Sequence, residues 1–169
     1  MEKPVAERSE ILERLGRIPI FEELKSNPEA LNAFADYVKL KSFPAGAVII
    51  REGEEGSEMF IVYSGRVEIQ KKTRAGDSYT VAVLESEHNV FFGELALIDD
   101  DTRSATVIAK EDSTFLVITK DDFIDLGKKH PAFALPITIT IAKILAGRLR
   151  KTTSDMLTIF DALAEEVKT

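Results

Sequence analysis

The chain has 169 residues, 44% of them hydrophobic and 30% charged, enough for one domain and an appended helix but too few for a large multidomain enzyme. Twenty-two basic against twenty-nine acidic residues give a net charge of −7, which disfavours nonspecific attachment to phosphate backbones or anionic membranes. The absence of cysteine excludes disulfides, thiolate metal sites and cysteine nucleophiles, and the N-terminal stretch has no apolar signal-peptide core, so a cytoplasmic protein is expected.

Between Glu2 and Tyr37, apolar residues such as Ile11, Leu15, Phe21, Leu24, Leu31 and Phe34 recur at helical spacing. Breaks at Pro19 and at Ser26-Asn27-Pro28 divide the stretch into two or three short helices, and residues 1–39 form an N-terminal helical segment. From Leu40 to Thr119 the pattern shifts to short runs of Val, Ile, Phe, Tyr and Thr between glycine-bearing or acidic turns. The strands read from it are Val48–Arg51, Met59–Tyr63, Arg66–Lys72, Tyr79–Leu84, Ser104–Ala109 and Thr114–Ile118, and residues 40–119 are therefore an antiparallel β-sandwich or β-barrel.

Residues 120–169 return to helix. Thr119, with Asp122 three residues on, caps a short helix that Gly127 is expected to end. Pro136 suits the first turn of a long helix reaching about Glu166. Along it Ala142, Leu145, Leu149, Thr152, Met156, Ile159 and Leu163 alternate in steps of three and four, a coiled-coil seam that Leu157 and Phe160 widen. At least part of this seam is expected in a homodimer interface; the competing reading packs the helix on its own β-domain.

Most of the chemistry lies in residues 92–106, Phe92-Gly93-Glu94-Leu95-Ala96-Leu97-Ile98-Asp99-Asp100-Asp101-Thr102-Arg103-Ser104-Ala105-Thr106. Gly93 lets the backbone approach a ligand, and the N–H groups of a short helical turn after it form an anion cradle suited to phosphate. Arg103 supplies a permanently charged fork for phosphate oxygens, and Glu94 an acceptor for a sugar hydroxyl.

This segment resembles the phosphate-binding cassette of the cyclic-nucleotide-binding domain family. Eight residues separate Glu94 from Arg103, as in its kinase-like members, and Ala105-Thr106 follows as it does there. Further similarity lies in Ile18-Pro19-Ile20-Phe21, Phe43-Pro44-Ala45-Gly46, Glu52-Gly53 and Phe60 to Gly65, so that the resemblance covers roughly 19–166. It implies a mainly β fold, an eight-stranded jelly-roll-like antiparallel β-barrel with N-terminal helices and a long C-terminal lid or dimer helix. It implies too that Glu94 holds the ribose 2′-hydroxyl and Arg103 the exocyclic phosphate oxygens. The amides of Gly93, Leu95 and Ala96 would complete the cradle behind Phe92, with the Ser104 hydroxyl beside them. One branch of the family carries a Thr-Ser pair on adenine where this chain has Thr152-Thr153, so both threonines are candidate base contacts. Hydroxyls can serve adenine or guanine; cyclic AMP is the expected ligand, cyclic GMP the alternative. The chain departs from the family at Asn89-Val90, where a Gly-Asp pair is usual, and at Thr102, where kinase-like members often have proline. Asparagine tolerates left-handed dihedrals, so the turn is expected to survive.

Other functions are less well supported. His88 and His130 are far apart and no nucleophile elbow or Gly-Lys-Ser loop occurs, so neither a metal site nor catalysis is expected. Asp99-Asp100-Asp101 lacks the ligand spacing of a calcium loop and is read as a solvated turn. Lys143, Arg148, Arg150 and Lys151 are read as a solvated helix flank. Few residues follow the long helix, so no DNA-recognition helix and no nucleic-acid or membrane partner is expected. The sequence reading is a stand-alone cyclic-nucleotide sensor that acts on an unidentified downstream protein; the alternative is an interaction module of the same fold whose pocket takes another anion or none.

Overall fold

A computed structural model describes residues 5–166. Helix α1 (Val5–Leu15), a 3-10 turn at Pro19–Leu24 and helix α2 (Pro28–Tyr37) form the N-terminal layer. The break before α2 has a local cause: the Asn27 side chain accepts from the Ala30 N–H at 3.1 Å, and Pro28 fills a first-turn position whose N–H would have no helical partner.

Eight strands follow: β1 (Lys39–Phe43), β2 (Val48–Ile50), β3 (Glu58–Ser64), β4 (Arg66–Lys72), β5 (Ser78–Glu85), β6 (Phe91–Phe92), β7 (Thr106–Ala109) and β8 (Ser113–Thr119). They make two four-stranded antiparallel sheets, ordered β1-β8-β3-β6 and β2-β7-β4-β5, a jelly-roll-like sandwich that does not close into a barrel. Strands β1 and β6 are absent from the sequence reading. The first is a lysine-bearing edge, KLKSF, and the second is two residues long, too short for any period to show.

The central strands of the first sheet are buried on both faces. In β3, Met59 and Ile61 turn to the helices while Phe60 and Val62 turn into the sandwich; in β8, Leu116 and Ile118 oppose Phe115 and Val117 in the same way. This two-sided burial explains why both strands are unbroken apolar runs rather than alternating ones. Phe60, Phe92 and Phe115 meet in the sandwich, Phe92 stacked on Phe60 at 5.2 Å and edge-on to Phe115 at 5.6 Å.

Helix α3 (Lys120–Lys129) starts as expected: the Thr119 hydroxyl accepts from the Asp122 N–H at 3.1 Å and donates to its carboxylate at 2.8 Å. Gly127 does not end it. The helix runs on to Lys129, and Gly127 lies within it on the side of Ala134 of the next helix, where an added Cβ would make only ordinary contact. The long helix α4 (Pro131–Glu166) likewise begins five residues before the expected Pro136. Pro131 holds the first-turn position, and Pro136 lies inside the helix, where it has no N–H for the Ala132 carbonyl.

Ala134, Ile137 and Ile141 bury the first half of α4 against the other helices, whereas from Arg148 to Glu165 every residue is exposed. By length and composition α4 could cross a bilayer, with mean hydropathy 1.5 over its most apolar stretch, of which 17% is buried in this fold, through Ala134, Ile137 and Ile141.

Candidate functional site

The cassette begins where β6 ends. Gly93 has φ +76°, and an added Cβ would lie 2.9 Å from the Glu58 carbonyl and 3.0 Å from the Arg103 guanidinium, so this turn requires glycine. A 3-10 turn, Glu94–Leu97, follows and sinks Leu97 into the helical core and Glu94 to 3% exposure. Within it the Ala96 N–H donates to the Gly93 carbonyl at 3.2 Å, so a ligand would have to share that amide or take it over.

Arg103 reaches the same place from the other side. Its backbone is clamped to the β2–β3 turn: the Arg103 N–H donates to the Glu54 carbonyl at 2.8 Å, and the Gly53 N–H donates to the Arg103 carbonyl at 2.9 Å. These bonds hold 103–105 outside the ladder, and β7 begins at Thr106 rather than at the expected Ser104. The guanidinium donates to the Glu58 carbonyl at 2.9 Å, and more weakly to that of Gly93 at 3.5 Å. Burial pulls its pKa below the ordinary value, opposed by nearby Glu58, and the group remains a cation at neutral pH. Gly56 completes the seat, because a Cβ there would meet Arg103 Nε at 2.4 Å. The sequence marks Gly56 only as a turn residue; its role as a floor for an arginine 47 positions later depends on the fold.

These groups line one cavity of about 660 Å³ between the second sheet, the cassette and α4. Phe92, Gly93, Glu94, Leu95, Ala96, Arg103, Ser104 and Thr152 all contribute to its wall. Thr153 does not. Its hydroxyl donates to the Leu149 carbonyl at 2.9 Å, back-bonded to its own helix. Ile69, Ala82 and Leu84 give the second sheet's side of the cavity an apolar surface, with Lys71 among them.

Arg148 departs from the solvated-flank reading: it forms an ion pair and hydrogen bond with Glu94, tying α4 to the cassette. Lys151 and Asp155 also line the cavity, and Lys143 pairs with Glu23 at 3.0 Å. The acidic loop has a brace that the sequence does not show, since Lys120 donates to the Asp99 carbonyl at 2.8 Å and to Asp100 at 2.7 Å. Among the described residues no group of three or more His, Asp or Glu converges as a metal site.

A sandwich with a glycine-led turn, a buried carboxylate and a seated arginine on one cavity matches a known class. The pattern of the cyclic nucleotide-binding domain fits residues 40–130, more than half of the chain, and the chain belongs to that family. Over 133 residues it is 31% identical to the cyclic AMP receptor protein of Thermus thermophilus, covering 79% of this chain and 58% of the receptor. Over 102 residues it is 40% identical to human cGMP-dependent protein kinase 2, covering 59% of this chain and 13% of the kinase. The crystal structure of the Thermus thermophilus catabolite activator protein is similar with TM-score 0.73 and 29% identity, over 82% of this chain and 61% of that one. The chain thus spans less than two thirds of these relatives.

Proposed function

We propose that the chain is a cyclic-nucleotide sensor that binds cyclic AMP in preference to cyclic GMP and performs no chemistry on it. The observation that carries this reading is the placement of buried Glu94 and seated Arg103 on one cavity with the Gly93 turn between them. Arg103 offers donors and a charge to the cyclic phosphate, and Glu94 accepts from the ribose 2′-hydroxyl. Ser104 adds a hydroxyl beside the phosphate, and the base lies between the second sheet and Thr152. Thr153 faces away from this pocket and would serve only a neighbouring chain's ligand.

In this reading α4 is the lid, and the Arg148–Glu94 pair is its fastening. Ligand binding signals only if the closed and open positions of α4 differ in affinity for the nucleotide. The exposed seam beyond Arg148 fits a homodimer contact, and the response passes onward to a downstream protein in the cytoplasm. The relatives named for both nucleotides, the cyclic AMP receptor protein and the cGMP-dependent kinase, leave the base preference to the hydroxyl contacts. A thermal-shift titration with cyclic AMP, cyclic GMP and 5′-AMP tests the reading. At one hundred times its dissociation constant a ligand specific for the folded state stabilises by about 2.7 kcal/mol. The expected result is a saturable shift with cyclic AMP, a smaller one with cyclic GMP at equal concentration and none with 5′-AMP. Equal shifts with 5′-AMP, or no shift with either cyclic nucleotide, would return the pocket to another anion or to a purely structural role.

A further inference from the structure

The backbone enters the cassette through a left-handed turn in which this chain has Asn89 where the family usually has glycine. Asn89 lies at φ 51°, the only non-glycine residue with positive φ among the described residues, four positions ahead of Gly93. Such a conformation is tolerated by asparagine but is less favourable than for glycine. Within the turn the Asn89 N–H donates to the Ser86 carbonyl at 3.2 Å, and a second clamp comes from the N-terminal layer. Arg14 of α1 donates through Nη1 to the Asn89 side-chain carbonyl at 2.9 Å and to the Ser86 carbonyl at 2.7 Å, and through Nη2 to the Tyr63 carbonyl at 2.5 Å.

One planar fork thus bridges three acceptors on β3 and the 86–89 turn, a task a lysine cannot reproduce. The guanidinium also stands 5.8 Å over the Tyr63 ring, and the Tyr63 hydroxyl donates to Glu10 of α1 at 2.9 Å, so one turn of α1 grips Tyr63 at both ends. Ile11 and Leu15 anchor that helix in the core at 1% and 0% exposure. Beyond the turn, the Val62 N–H donates to the Val90 carbonyl at 3.0 Å, Phe91 and Phe92 pair with β3, and the chain arrives at Gly93.

We propose that Arg14 is a positioning residue for the cassette: it holds the left-handed turn at Asn89 so that Gly93 and Glu94 enter the pocket in binding geometry. Helix α1 is then a second element, besides α4, from which the pocket's affinity is set. The proposal rests on the nucleotide reading of the pocket for its consequence in affinity, but not for its structural content.

Two quantities test it in the full chain: the backbone amide shifts of residues 90–96 in ligand-free protein by NMR, and the affinity and dissociation rate of cyclic AMP measured well below the melting temperature. Arg14→Lys keeps the charge and loses the fork; it is expected to move those amide shifts and to weaken cyclic AMP about fivefold to tenfold, mainly through faster dissociation. Asn89→Gly, which accepts positive φ without a hydrogen bond, is expected to recover most of that loss when added to Arg14→Lys. A fastener that matters only to stability would lower the melting temperature and leave shifts and affinity unchanged, and that outcome overturns the proposal. So does a double variant no better than Arg14→Lys alone. If Arg14→Lys does not fold, Asn89→Ala reads the same two quantities with Arg14 in place. If the wild type binds no cyclic nucleotide, the functional reading fails separately and the amide shifts alone decide whether Arg14 sets the turn.

Discussion

Phe115 of β8 and Phe160 in the distal half of α4 both stand in apolar company, yet Phe115 is 0% exposed and Phe160 is 60% exposed. Around Phe115 the apolar residues have partners on both faces of the sheet. Around Phe160, Met156, Leu157, Ile159 and Leu163 are all at least half exposed, although their spacing is as regular as that of any core helix. Apolar pattern alone therefore records two different things here: in the sheet it stabilises the fold, and in distal α4 it leaves an exposed apolar face, the one the proposed homodimer contact would cover.

The same substitution in the two regions should separate these roles. Phe115→Ala is expected to cost about 3–5 kcal/mol of stability, because it opens a cavity among Phe43, Phe60 and Phe92. Phe160→Ala is expected to change monomer stability by no more than about 0.5 kcal/mol while weakening self-association at high concentration. Denaturant unfolding and analytical ultracentrifugation read the two effects; a large stability loss from Phe160→Ala would mean that distal α4 folds back on its own domain.

Arg148 lies at the border of the two regions. Arg148→Met removes the counter-ion of Glu94, and although the arginine side chain is 57% exposed the carboxylate it leaves behind is only 5% exposed, so the loss of stability should be about 1–3 kcal/mol, more than a surface ion pair would give. Hydrogen exchange beyond residue 148 should accelerate. Unchanged exchange would show that the ion pair does not fasten the helix.

The smallest effect belongs to the second sheet. Glu68 is held at a pKa of about 2, below its ordinary 4.5, first by Lys110 and then by Thr80 and Gln70. A carboxylate with a lowered folded pKa contributes stability that is complete above pH 4.5 and lost as pH falls towards 2. The stability difference between wild type and Glu68→Gln should accordingly be constant above that window and shrink within it. A difference that persists at pH 2 would refute the assignment.

How much of this was legible in sequence follows from how local each feature is. That Gly93, Glu94, Arg103 and Ser104 belong together was readable because they share one short segment, and they line one cavity. Thr119 as a cap was readable for the same reason. Arg148 was not, since it meets Glu94 across 54 positions and its neighbours in sequence are ordinary exposed cations. Gly56 and Arg14 were hidden in the same way, their partners lying on other strands. Pro131 and Pro136 both satisfy the rule for a helix start, and only the packing of Ala134 and Ile137 decides between them. Edge strand β1 escaped because it pairs on one side only, with β8, and carries lysines at its edge in place of the apolar alternation by which strands are recognised.

The most direct test of the account is a pair of calorimetric titrations of cyclic AMP, one into the wild-type chain and one into Arg103→Ala. The account predicts one saturable site in the wild type and a loss of about 2–4 kcal/mol of binding free energy in the variant, with the fold retained. Equal affinity in the two proteins would contradict it, because the cavity would then be holding its ligand without the charge that Gly56, Glu58 and Gly93 are arranged to seat.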